Sequence, residues 1–251
     1  MNKLPQITLS FWIMKIAATT LGETAGDMFS MTLNIGYVVS SVMLFAGFLV
    51  SVALQMRSRR YIPPLYWLVI VSTSTSGTTI SDMMDRTWEL GYPAGSAILL
   101  SVLGLIFLYW RSTGESLNVN EIRTPRVEFL YWTTILFSNT LGTAMGDFLA
   151  DSSGLGFAGG ALLVAALIVA VILAYYTTQI SRVFLFWAAF VLTRPFGAQF
   201  GDVLTKTHEK GGLDLGTMGS SAVLSGILVV LVAYTMVMQR REGSDALPSK
   251  P

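Results

Sequence analysis

A glycine followed five residues later by an aspartate recurs four times in this chain, as Gly22/Asp27, Gly77/Asp82, Gly142/Asp147 and Gly197/Asp202. The residue before each aspartate is small (Gly26, Ser81, Gly146, Gly201), and a hydroxyl lies five residues after it (Thr32, Thr87, Ser152, Thr207). In the first three copies a further glycine stands nine residues on, in "IGY", "LGY" and "LGF". The fourth copy carries five extra residues and reads "LGT" at 215–217. Successive copies are 55, 65 and 55 residues apart, so the first pair maps onto the second with an offset of 120. A fixed register over four copies is the mark of a repeat architecture. Two rounds of duplication explain it, and they divide the chain into halves 1–127 and 128–251.

Each copy sits at the end of one apolar segment and is followed by another. The motif-bearing segments are 9–31, 64–84, 129–149 and 183–204, and the others are 37–56, 95–110, 157–176 and 218–238. A spanning helix needs about 20 residues, and the 95–110 segment reaches that length by borrowing from Gly91–Pro93. Hydrophobic residues make up 53% of the chain and charged ones 12%, against about 25% charged in a soluble domain. The expected fold is therefore all-α and membrane-embedded. It has eight transmembrane helices, arranged as four parallel two-helix repeats around an axis along the membrane normal. Lys15 interrupts the first apolar run, which reads as a retained helix rather than a signal peptide. Lysine and arginine concentrate at the N-terminus, in the 57–60, 111–127 and 178–182 loops and in the tail, whereas the other side holds Arg86, Lys206 and Lys210. The positive-inside rule then puts both termini in the cytoplasm and the four aspartates toward the outer face of the membrane. The tail from about 240 has a disordered composition.

At 100° per residue, Thr20, Glu23 and Asp27 share one helix face. Thr75, Thr78 and Asp82 match them in the second copy, and Thr140, Thr143 and Asp147 in the third. The fourth copy has Pro195, Ala198 and Asp202, so its polar stripe is half erased. A second stripe, Gly22/Gly26, Gly77/Ser81, Gly142/Gly146 and Gly197/Gly201, has the small-residue spacing that lets membrane helices approach closely. An intramembrane carboxylate costs about 2.5–3.5 kcal/mol even on the lenient scale, so four at equivalent depth require a reason. Capping of neighbouring helix ends is one; an ion site is the other. Within the spans Asp27, Asp82, Asp147, Asp202 and Glu23 face Lys15 and Arg194, five negative charges against two positive. Lys15 is expected to snorkel to the cytoplasmic side. Arg194 is expected to pair internally with a motif acid, and Asp202, on the degenerate stripe, to play an electrostatic part beside it.

The fourfold glycine–aspartate motif with its trailing "LGY" glycines resembles bacterial multi-pass membrane proteins described as carrying a repeat of unknown function. The resemblance covers residues 9–238, and it implies a multi-pass location without an activity. "ETAGD" (23–27) and "GDVLTKT" (201–207) also resemble, at a different spacing, the acidic-glycine-aspartate signatures of cation and manganese exporters. "AGD", "MGD" and "FGD" resemble the Gly-x-Gly-Asp signature of intramembrane aspartyl proteases, although there the upstream glycine is three residues before the aspartate, not five.

Carboxylates, hydroxyls and carbonyls suit hard or borderline cations such as Mg²⁺, Ca²⁺ and Mn²⁺. The chain has no cysteine, and its one histidine, His208, falls in a loop. The leading expectation is a transporter or channel for a small divalent cation, not an enzyme. Asp27, Asp82, Asp147 and Glu23 are its ligands, and Thr20, Thr75, Thr78, Thr140 and Thr143 line the site. No cofactor, nucleotide site or nucleic-acid partner is expected beyond the cation itself, and a homo-oligomer stays open. A membrane-embedded aspartyl hydrolase and a non-transporting scaffold or sensor are the competing classes.

Overall fold

A computed structural model describes residues 4–245, with side chains through 238. Among the described residues there are eight long helices and no strand. They are α1 (Leu9–Asp27), α2 (Tyr37–Arg57), α3 (Pro63–Asp82), α4 (Tyr92–Ser112), α5 (Pro125–Asp147), α6 (Gly156–Thr177), α7 (Arg182–Thr205) and α8 (Thr217–Asp245). Thr8 and Thr124 cap α1 and α5 through their side chains, and prolines open α3, α4 and α5, where a missing N–H costs nothing. Five helices, α2, α4, α6, α7 and α8, are long and apolar enough to cross a membrane. This is a membrane protein built of internal repeats. The helix α8 continues to Asp245, so the start of the tail is helical; residues 246–251 lie outside the described residues.

The motif helices α1, α3, α5 and α7 form a closed inner ring, each packed on the next and α7 on α1. The outer helices α2, α4, α6 and α8 each lie against the motif helix of the following repeat, namely α3, α5, α7 and α1. The small-residue stripe makes this ring possible. A methyl group on Gly22 would land on Ser74, on Gly77 against Asn139 and Thr140, on Gly142 against Arg194, and on Gly197 against Thr19. Thr19, Ser74, Asn139 and Arg194 all stand three residues before the motif glycine of their own copy. The interlock is therefore the same contact four times around the ring.

A second cyclic contact closes the far end of the ring, and its sequence signal is missing from the motif-centred reading. Ten residues before each motif glycine is a tryptophan (Trp12, Trp67, Trp132, Trp187), preceded by Phe11, Tyr66, Tyr131 and Phe186. Each Phe or Tyr packs on the next copy's tryptophan. Ring centroids are 5.7 Å apart for Phe11–Trp67, 5.6 Å for Tyr66–Trp132, 6.1 Å for Tyr131–Trp187 and 5.7 Å for Phe186–Trp12. Such tilted and edge-on pairs suit the aromatic quadrupole. The Tyr66 and Tyr131 hydroxyls meet at 2.8 Å inside the belt.

At the motif end, the first three inner helices widen after their aspartates into π-helical turns, Met28–Thr32, Met83–Thr87 and Phe148–Ser152. Their bonds, Leu33 N to Met28 O at 2.8 Å and its equivalents, were not foreseen from the sequence. The trailing glycines Gly36, Gly91, Gly156 and Gly216 have φ of +84°, +70°, +64° and +71°, which explains why glycine recurs there. The fourth copy replaces the wide turn with a longer loop containing the short helix His208–Lys210.

The interlock predicts a contrast between two glycines. Gly22→Ala forces a methyl group into Ser74 and should cost about 1–3 kcal/mol. Gly104→Ala, in α4 with nothing within 4 Å of the added carbon, should cost nothing. Thermal unfolding of both variants in one detergent checks this; equal melting temperatures would refute the interlock.

Candidate functional site

The centre of the ring is held by one guanidinium. Arg194 is 0% exposed. Its Nη2 lies 2.9 Å from Glu23 Oε2, 2.5 Å from Thr78 Oγ1 and 2.6 Å from Thr143 Oγ1, and Nη1 lies 3.4 Å from the Thr19 carbonyl. One side chain of α7 thus bonds to α1, α3 and α5. Glu23, Thr78 and Thr143 each follow the motif glycine of their copy, and the fourth copy has Ala198 at that position. The stripe of copy four is half erased because Arg194 fills the space from one turn below. The expected internal ion pair is present, and its acid is Glu23.

One turn further, the four aspartates meet two cations that the sequence reading left in the outer loops. Arg86 Nε is 3.1 Å from Asp82 Oδ1, and its Nη2 is 3.4 Å from Asp147 Oδ2. Lys206 Nζ is 2.9 Å from Asp27 Oδ2 and 3.1 Å from Asp202 Oδ1. Each cation stands four residues after the aspartate of an even copy and bridges it to the aspartate of the next copy. The odd copies have Met31 and Asp151 at that position. A lysine or arginine at this offset in alternate copies was the signal available in the sequence. Burial lowers the pKa of both cations, but Asp202 and Asp27 around Lys206, and Asp82 and Asp147 around Arg86, outweigh it and hold both well above their ordinary values. The count of five acids against Lys15 and Arg194 therefore left out two cations, Arg86 and Lys206, each of which bridges a pair of the aspartates.

These groups line a cavity of about 550 Å³ with Glu23, Asp27, Asp147, Asp202, Arg86 and Lys206 in its wall. Met31, Tyr92, Asp151, Phe157 and Lys210 also line it, and Tyr92 donates to Asp151 at 3.2 Å. One carboxylate oxygen each of Glu23, Asp147 and Asp202 lies within 4.8 Å of the other two. Each of the three is held by a different cation: Glu23 by Arg194, Asp147 by Arg86 and Asp202 by Lys206. Asp27 and Asp82 complete the ring of aspartates, although Asp82 does not line the cavity.

The remaining predicted residues are distributed as follows. Thr20, Thr75 and Thr140 donate to carbonyls of their own helices, those of Ile16, Val71 and Leu136, at 2.9, 3.1 and 3.0 Å. Gly26, Gly146 and Gly201 pack against Thr78, Ala198 and Glu23. His208 Nδ1 is 2.9 Å from the Gly212 carbonyl in the exposed loop, away from the cavity lining. Lys15 does not snorkel. It is fully buried, with Nζ 3.3 Å from Asn139 Oδ1 and 4.1 Å from the centroid of Phe190. The reason is its level in the ring, where its counterparts Ile70, Ile135 and Phe190 are equally buried. The aromatic belt lies between Lys15 and the nearer end of α1.

A family model described as Repeat of Unknown Function (DUF347) matches residues 10–61, 65–116, 130–181 and 185–241, and each interval holds one inner helix and its outer partner. No curated protein and no solved structure matches the chain.

The Arg194 network predicts a non-additive pair of substitutions. Arg194→Met strands Glu23 in the ring and should destabilise by about 3–5 kcal/mol. Adding Glu23→Gln should recover a large part of that loss, read by thermal unfolding of the three variants. Simple addition of the two single losses would show that Arg194 and Glu23 do not act as a pair.

Proposed function

We propose that this chain, which belongs to the DUF347 repeat family, is a carrier for a small cation, a divalent metal of the Mn²⁺, Mg²⁺ and Ca²⁺ class. In this reading all eight helices cross the bilayer as four parallel pairs around an axis along its normal. The basic loops support an orientation with the aromatic belt toward the cytoplasm and the cavity open to the outer face. The observation that carries the reading is the convergence of Glu23, Asp147 and Asp202 oxygens in an open cavity, each acid paired with a different cation. Carboxylate oxygens are the natural ligands of such a cation.

A carrier fits better than a channel. Past the cavity the ring holds Arg194, then Lys15, then the aromatic belt. A buried guanidinium, a buried lysine and packed aromatic rings fill the way past the cavity, which supports reading the cavity as the open side of a site closed at its other end. The pairing of all four motif aspartates with cations is the observation that favours a purely structural scaffold, and the experiment must separate the two.

Proteoliposomes carrying the protein should take up Mn²⁺ saturably, with Ca²⁺ and Mg²⁺ competing and uptake weakening in acid as protons displace the metal from its ligands. Asp147→Asn and Asp202→Asn should each reduce uptake by roughly tenfold or more, about 1.4 kcal/mol of binding, while the protein stays folded. If neither flux nor melting temperature depends on any of the three cations, the scaffold reading replaces this one.

A further inference from the structure

We infer that the Lys206 ammonium is a tethered occupant of the cation site, seated between Asp27 and Asp202 when the site is empty and displaced when a cation binds. The inference rests on the function proposed above and adds a residue that decides which cations enter. Asp202 serves two partners at once. Its carboxylate pairs with Lys206 at 3.1 Å, and it offers an oxygen to the converging trio with Glu23 and Asp147. A metal ion on that trio would sit beside the ammonium, and two like charges at this range repel. One of them must move.

The three cations that hold the trio differ in how firmly they are fixed. Arg194 is fully buried and bonded to three neighbouring helices. Arg86 holds Asp82 and Asp147 with its planar fork, donates to the Tyr37 hydroxyl at 3.1 Å and lies 5.7 Å from that ring. Lys206 meets its two acids through a single nitrogen on a flexible four-carbon stem, the less constrained of the two side-chain types.

Its backbone is held independently of its side chain. Lys206 is the first residue after α7 and is extended, with φ −74° and ψ 156°. The loop carrying the fourth copy's extra residues folds back onto it. Asp214 N donates to the Lys206 carbonyl at 2.9 Å, and Leu213 N and Leu215 N donate to Val203 and Leu204. Side-chain rotation toward the open cavity is then enough to clear the site, without movement of the helix. Departure of the ammonium also frees Asp27, which can join Glu23, Asp147 and Asp202 as a fourth carboxylate ligand. A competitor of charge +1 that is permanently present favours cations of higher charge, since only these recover more attraction from the acids than the ammonium gives up.

The test uses the full-length protein in nanodiscs, with Mn²⁺ as the probe and a small amine-acetylating reagent read by peptide mass spectrometry. Saturating Mn²⁺ should raise the acetylation rate of Lys206 severalfold, and more than that of Lys210 on the same loop. Lys206→Gln should bind Mn²⁺ more tightly than wild type. Lys206→Arg, which keeps the charge but grips both acids with a fork, should bind it more weakly. Acetylation of Lys206 that stays constant or falls on Mn²⁺ binding overturns the inference and leaves the cation carrier standing. Absence of saturable Mn²⁺, Mg²⁺ or Ca²⁺ binding by the wild-type protein overturns the carrier and the inference together.

Discussion

A single buried guanidinium sets the terms for the rest of this structure. Arg194 stands where four helices converge, and water cannot solvate it. A charge in that position is tolerable only if acceptors surround it at hydrogen-bond distance, and Glu23, Thr78, Thr143 and the Thr19 carbonyl do so from three other helices. The ring must therefore close tightly enough for one side chain to reach all of them. That closeness comes from Gly22, Gly77, Gly142 and Gly197, each pressed against the neighbouring helix without a side chain of its own. The guanidinium and the glycines are two halves of one requirement. Fourfold symmetry must break at this level, since the centre has room for one guanidinium; Ala198 marks the helix that supplies it.

The aspartates one turn away obey a different symmetry. The backbone repeats four times, but the cations that hold the aspartates repeat twice, as Arg86 and Lys206. Four carboxylates in a ring repel one another, and a cation between alternate pairs relieves this with half as many charges. The result is an odd pair and an even pair of copies with distinct roles, as expected of a unit doubled once and then doubled again. The two cations differ in their surroundings: Arg86 also donates to a tyrosine, and Lys206 stands beside the loop unique to the fourth copy.

The two ends of the ring also differ in kind. One is polar, hollow and lined by alternating charges, and the other is filled by a belt of eight aromatic rings. Lys15 lies between them, held by an amide oxygen and an aromatic face rather than by a carboxylate. This gradient from charge to aromatic packing gives the ring two chemically different ends.

Much of this was legible in the amino-acid order. The four copies, the eight helices, the inward face of the motif helices and the packing role of the glycines follow from periodicity, because local geometry turns a repeated spacing into a repeated surface. The aromatic doublets at 11–12, 66–67, 131–132 and 186–187 are equally regular, and they lie ten and eleven residues before each motif glycine. What the sequence could not show is which charge meets which. The partner of Asp147 is Arg86, 61 residues away, and the partner of Asp27 is Lys206, 179 residues away. Lys15 looked like a lysine near a helix end until the ring enclosed it. Ion pairing depends on distances across helices from different copies, and only the closed ring sets those distances.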